Sequence, residues 1–135
     1  MNFSSSRALA GLSFLVVEDE ILIAFDAKAM LEEAGAGLVQ LAPKADDAIQ
    51  MISAKPPHAA VLDVNLGSGT SFPVADALAL RGIPYVFTTG YGGQIDLPAL
   101  HLDMPVVGKP YSSEMLIAGL ISALERSQFL DEQEL

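Results

Sequence analysis

Five polar side chains in this sequence each sit at the end of a short apolar run. Glu18 and Asp19 follow Leu12-Ser13-Phe14-Leu15-Val16-Val17, and Asp63 follows Ala59-Ala60-Val61-Leu62. Thr89 closes Ile83-Pro84-Tyr85-Val86-Phe87-Thr88, and Lys109 stands just past Val106-Val107. Three carboxylates brought together repel one another and, unpaired, hold their protons more tightly. A divalent cation removes that repulsion, and two carboxylates, a backbone carbonyl and several waters form the oxygen-rich shell that magnesium prefers. Asp63 can then act as a nucleophile toward phosphorus and form an aspartyl phosphate. Magnesium, the Lys109 ammonium and the Thr89 hydroxyl could each hold one oxygen of the transferred phosphoryl group. A single acidic loop residue is usually just solvated. The reading rests on all of these groups following buried-type apolar runs.

Those runs alternate with longer helical patterns, as in a parallel α/β sheet. Strand-like segments at 12–17, 38–42, 59–62, 83–88 and 106–107 are separated by helices predicted at 21–34, 46–53 and 73–80, and a closing helix at 112–126. In the first helix Leu22, Phe25 and Ala29 recur at helical spacing, and Gly35 is a stop signal. Residues 90–100 carry three glycines and Pro98, which leaves the fourth helix short or irregular. In open sheets of this kind function sits in the crevice at the carboxyl ends of the strands, where the five polar groups fall.

The chain has 135 residues, 51% of them hydrophobic, which fits one domain of ordinary size. The division expected is an N-terminal extension over 1–10, a single domain over 11–127 and an acidic tail over 128–135. Without cysteine, zinc fingers, thiol catalysis and disulfide scaffolds are excluded. The formal net charge of −10 opposes binding to nucleic acid and anionic membranes, since such binding is mostly lysine and arginine meeting phosphate. No apolar run approaches the roughly 20 residues of a membrane span, and residues 1–10 lack a signal-peptide core. A cytoplasmic location is expected.

Val16-Val17-Glu18-Asp19-Glu20, Val61-Leu62-Asp63-Val64-Asn65-Leu66, Thr89-Gly90-Tyr91 and Lys109-Pro110-Tyr111 resemble, in order and separation, the motifs of response-regulator receiver domains. The resemblance covers about residues 11–127. It implies a flavodoxin-like, CheY-like (βα)5 fold, a doubly wound five-stranded parallel sheet of order 2-1-3-4-5. It also implies Asp63 as phosphoacceptor, Glu18 and Asp19 as the acidic pair around Mg2+, and a metal-bound main-chain carbonyl at Asn65. Thr89 becomes the switch hydroxyl, Lys109 the phosphoryl-contacting lysine, and Lys109–Pro110 a cis peptide bond. The phosphodonor implied is a histidine kinase or a histidine phosphotransfer protein.

Two positions depart from the usual pattern. Val106 stands where most receivers carry an aromatic switch residue, and Gly90-Tyr91 follows Thr89 where alanine is typical. Phe87-Thr88-Thr89-Gly90-Tyr91-Gly92 instead resembles the FAT GUY receiver subfamily, with Thr88 in place of its alanine. Signal is therefore expected to travel through Thr89, Gly90 and Tyr91, with Val106 too small and stiff to swing. In the closing helix Leu116, Leu120 and Ala123 form one stripe and Ile117, Ile121 and Leu124 a second. The second is a candidate partner surface, for another protein or a second copy, unless it is buried against the sheet. His58 and His101 read as structural residues.

The sequence favours a single-domain response regulator that signals by protein contact or acts as a phosphate sink, and not a turnover enzyme. A haloacid-dehalogenase-like phosphatase would need a second aspartate at position 65, which is Asn65. A flavodoxin-like cofactor site would place Ser, Thr and Gly where Glu18-Asp19-Glu20 stands. A pseudo-receiver that works without phosphorylation is opposed by the complete acidic and lysine set.

Overall fold

A computed structural model of the chain describes residues 8–90 and 96–134, apart from the side chains of 128–134. Five strands, β1 (Ser13–Val17), β2 (Leu38–Ala42), β3 (Ala59–Asp63), β4 (Tyr85–Thr89) and β5 (Val106–Gly108), form one sheet of order β2-β1-β3-β4-β5. All four pairings are parallel. The helices are α1 (Ile21–Glu33), α2 (Ala45–Ala54), α3 (Phe72–Leu80) and α4 (Ser113–Glu134). The expected doubly wound topology is thus the one observed.

Alternation along the strands feeds two cores. Leu15 and Val17 of β1 and Ala60 and Leu62 of β3 meet Ala48 and Ile52 of α2 and Val74, Ala75 and Leu78 of α3. Phe14, Val16 and Val61 point the other way, onto Ala27 and Leu31 of α1 and Leu116, Leu120 and Ala123 of α4. Each such leucine, fully buried, contributes about 2 kcal/mol. Leu9, ahead of β1, is fully buried in the second core. Ile117, Ile121 and Leu124 pack at the margin of that core and stay half-buried.

Two elements differ from the sequence reading. In α1 the buried face is Ala24, Ala27 and Leu31, while Leu22 is 76% and Phe25 51% exposed. Small alanines let the helix lie close to the sheet and turn the bulkier residues to solvent. Just past α1, Gly35 with a φ of 104° permits the bond from the Ala36 N–H to the Leu31 carbonyl (3.0 Å) that closes the helix. α4 runs on to Glu134 instead of stopping at Arg126, because no glycine or proline follows Arg126 to end it. Between β4 and β5 the described residues contain only one short 3-10 turn, Ala99–His101, as the glycines and Pro98 foretold.

Candidate functional site at the carboxyl strand ends

Parallel pairing brings the ends of β1, β3, β4 and β5 side by side, and the polar groups after them meet there. Val17 pairs with Leu62, Asp63 with Thr88 and Thr89 with Gly108, so that Glu18, Asp63, Thr89 and Lys109 share one edge. Backbone bonds hold the arrangement. The Glu18 N–H donates to the Ala42 carbonyl at 3.1 Å, Val64 N–H to Thr88 at 2.9 Å, and Lys109 N–H to Thr89 at 2.7 Å. The Lys109–Pro110 bond is cis.

Lys109 is the centre of the site. Its Nζ lies 2.8 Å from Glu18 Oε1 and 3.0 Å from Asp63 Oδ2, and all three side chains are largely buried. Burial pushes the Glu18 carboxyl up to about 7, against the lowering effect of Lys109, with Asp63 adding to the rise. The Glu20 N–H donates to Glu18 Oε2 at 3.2 Å. For Lys109, burial works toward a lower pKa, but its bonds to Glu18 and Asp63 win and hold it above the ordinary lysine value. Tyr111, half-buried next to the site, is raised by burial and by the Glu18 charge.

Asp19 is exposed, and its carboxylate completes a cluster with Glu18 and Asp63 whose ligand atoms all lie within 4.8 Å of one another. Gly67 covers this cluster. It has a φ of +82°, and a Cβ there would stand 3.1 Å from Asp19 Oδ2. The loop is fixed by the Gly67 N–H donating to Asn65 Oδ1 at 2.9 Å and by a bridge between Asn65 and Thr70. Three carboxylates face a single ammonium, and every donor offered is oxygen. That surplus of negative charge and that donor set fit a hard divalent cation such as magnesium.

The structure therefore brings together Glu18, Asp19, Asp63, Thr89 and Lys109, with Asn65 in the loop beside them. Thr89 is buried and Gly90 exposed. Tyr91 lies outside the described residues. Val106, 43% exposed, is on the outer strand β5. Of the stripe read as a candidate partner surface, Ile121 and Leu124 line a groove with Pro57 and His58. His58 fastens the start of β3 to β1, its Nδ1 accepting the Ser13 N–H at 2.9 Å. Sequence reasoning missed a second buried polar cluster. His101, with no exposure, joins Tyr85 of β4 to Asp76 of α3. The available signals were a lone histidine in a glycine- and proline-rich connection and a lone acid within the apolar helix at 73–80.

The five-stranded parallel sheet with these groups at its carboxyl edge is the CheY-like receiver fold, and the chain's structural neighbours are response-regulator receivers. Among known proteins, it is 30% identical over 118 residues to the phyllosphere-induced regulator PhyR of Methylorubrum extorquens, matching 82% of this chain and 42% of that one. The anti-anti-sigma factor PhyR of Bartonella quintana superposes with a TM-score of 0.77 at 26% identity, over 93% of this chain and 52% of that one. The signal receiver domain of a modulated diguanylate cyclase from Desulfovibrio desulfuricans matches with a TM-score of 0.74 and 21% identity, over 88% of this chain and 98% of that one. No protein-family model matches the chain. The chain spans less than half the length of the curated relative it matches. Among the described residues, no helix is long and apolar enough to cross a membrane.

Proposed function

We propose that this chain is a response-regulator receiver that takes a phosphoryl group on Asp63 from a histidine kinase or a histidine phosphotransfer protein. The observation that carries the reading is the placement of Lys109 Nζ between Glu18 and Asp63 at the strand ends. An Asp63 carboxylate oxygen forms the new O–P bond while the P–N bond of the phosphohistidine breaks and the imidazole leaves with the bonding electrons. Lys109, already against Asp63 Oδ2, then neutralises an oxygen of the arriving phosphoryl group, and in this reading the Thr89 hydroxyl takes another. Glu18, Asp19, Asp63 and the Asn65 carbonyl would hold magnesium. When bound, magnesium supplies the charge that lets two anions approach.

In this reading the chain is a phosphoacceptor that assists its own phosphorylation and dephosphorylation, and acts in the cytoplasm. Output passes through protein contact or ends in a phosphate sink. The likeness to an anti-anti-sigma factor favours protein contact. Incubation with magnesium and a small phosphodonor, read by intact mass, tests the reading. A gain of one phosphoryl group that Asp63→Asn removes is expected, and a phosphorylated Asp63→Asn protein would sink the assignment. Asp19→Asn should impair the reaction more than Glu18→Gln, since Asp19 faces the open side of the cluster. Undiminished phosphorylation of the wild type in excess chelator would refute the metal's part.

A further inference from the structure

Two side chains of the β4–β5 connection, Asp103 and His101, make polar contacts to the body of the protein. Asp103 pairs with Arg126 of α4 at 2.8 Å, but both side chains are well exposed, and such pairs hold weakly. The second contact is of another kind. His101 is fully buried, its ring packed among Tyr85, Phe87 and Phe72 with centroids 5.4, 5.9 and 6.4 Å away. Its Nε2 lies 2.8 Å from Asp76 Oδ1, and its Nδ1 is bonded to the Tyr85 hydroxyl.

The partners fix the tautomer. An ionised carboxylate can only accept, so Nε2 carries the hydrogen and Nδ1 is left to accept from the Tyr85 O–H. In that arrangement both ring nitrogens and the buried hydroxyl are satisfied together. A buried network so matched rigidifies what it joins, and one broken in part is penalised. The turn itself follows His101, whose N–H donates to the Pro98 carbonyl at 2.8 Å and whose carbonyl accepts from Met104 N–H at 3.1 Å. Leu100 and Leu102 ride on the same turn, 65% and 62% exposed.

We propose that His101 is the positioning residue of the β4–β5 connection, acting through Tyr85 and Asp76 to fix the course of residues 97–104 and the apolar surface they present. An exposed carboxylate on α3 thereby governs a surface on a different element. Any rearrangement that starts at Thr89 ends at His101, and this last consequence rests on the phosphoacceptor reading.

Hydrogen exchange without any phosphodonor tests the anchor alone. Asp76 is mostly exposed, so Asp76→Ala should leave the fold intact and speed exchange at 99–104 by about tenfold or more, with β1 and β3 unchanged. Asp76→Asn keeps an oxygen for the Nε2 hydrogen and should restore most of the protection. His101→Phe, which refills the aromatic cage but makes neither hydrogen bond, should reproduce the loss. Unchanged exchange at 99–104 in Asp76→Ala, or Asp76→Asn as unprotected as Asp76→Ala, would overturn the assignment. Beryllofluoride with magnesium, added to the wild type, separates the two readings. A response at 88–90 that stops short of 99 supports both. A response that runs on through 99–104 overturns the anchor and spares the phosphoacceptor reading. No response at 88–90 counts against the phosphoacceptor reading alone, and the anchor then stands or falls on Asp76→Ala.

Discussion

The strand-end site and the His101 cluster each join buried polar groups to one exposed carboxylate, Asp19 or Asp76, yet they are balanced in opposite ways. At the strand ends three carboxylates share one ammonium, and burial, with a smaller push from Asp63, holds the Glu18 carboxyl up at about 7 despite Lys109. Around His101 each donor meets an acceptor, with Tyr85, His101 and Asp76 in a single chain of bonds. A cluster short of positive charge is stabilised by whatever supplies it, so it suits a site that receives a cation or changes state. A cluster whose bonds are complete gains nothing from a newcomer and suits a joint that must stay put.

Asp63→Asn should break the contrast most visibly. It removes the acceptor carboxylate and with it all phosphoryl gain by intact mass. It also lifts one of the charges facing Glu18, so thermal unfolding should show no loss of stability. Lys109→Ala has the next largest effect. Leaving Glu18 and Asp63 buried without their shared cation should cost about 4 kcal/mol in urea unfolding at pH 8. The loss should shrink near pH 5, where Glu18 takes up a proton.

The pH dependence of the parent protein sharpens the comparison further. The Glu18 carboxyl stands near 7 when folded against an ordinary 4.5, so its contribution to stability is fully present below pH 4.5 and is lost as the pH rises through 7. Linkage puts that loss at about 3 kcal/mol, and the Glu18→Gln protein should not show it. Excess magnesium should reduce it as well. The smaller shift belongs to the other cluster. Burial, with the nearby Asp76 charge, pushes the Tyr85 hydroxyl up to about 12 from 10. Stability from this group is complete below pH 10 and declines by about 3 kcal/mol as the pH rises through 12, a decline absent in Tyr85→Phe. Alkaline urea titrations of the two proteins would show it.

The two clusters also differ in how far they could be read from sequence. Glu18, Asp19, Asp63 and Lys109 were legible because each follows a strand whose apolar run is hard to mistake. Strand ends in a parallel sheet all face one way, so placing the strands placed the groups. The His101 cluster joins residues from a helix, a strand and an irregular turn. Its members share no periodicity, and Tyr85 looks like any aromatic in a strand. The exposed face of α1 failed to show for a related reason. Leu22 and Phe25 have helical spacing, but so do Ala24, Ala27 and Leu31, and hydropathy alone ranks the larger side chains inward. Which stripe is buried depends on how closely the helix approaches the sheet. That distance is a property of packing and leaves no mark on the pattern.

The strand order carries a consequence for how the protein is made. Asp63 and Lys109 are 46 residues apart in the chain, and Glu18, the other partner of Lys109, lies further still from it. A chain growing from its amino end presents Glu18, Asp19 and Asp63 long before Lys109, which bridges Glu18 and Asp63, has been synthesised. Contacts of such sequence separation close late and slowly. Until β5 docks beside β4, the nascent protein holds an acidic cluster without its lysine. During synthesis, therefore, free divalent cations are the natural substitute for Lys109. Refolding rates should depend on magnesium even where the finished fold does not.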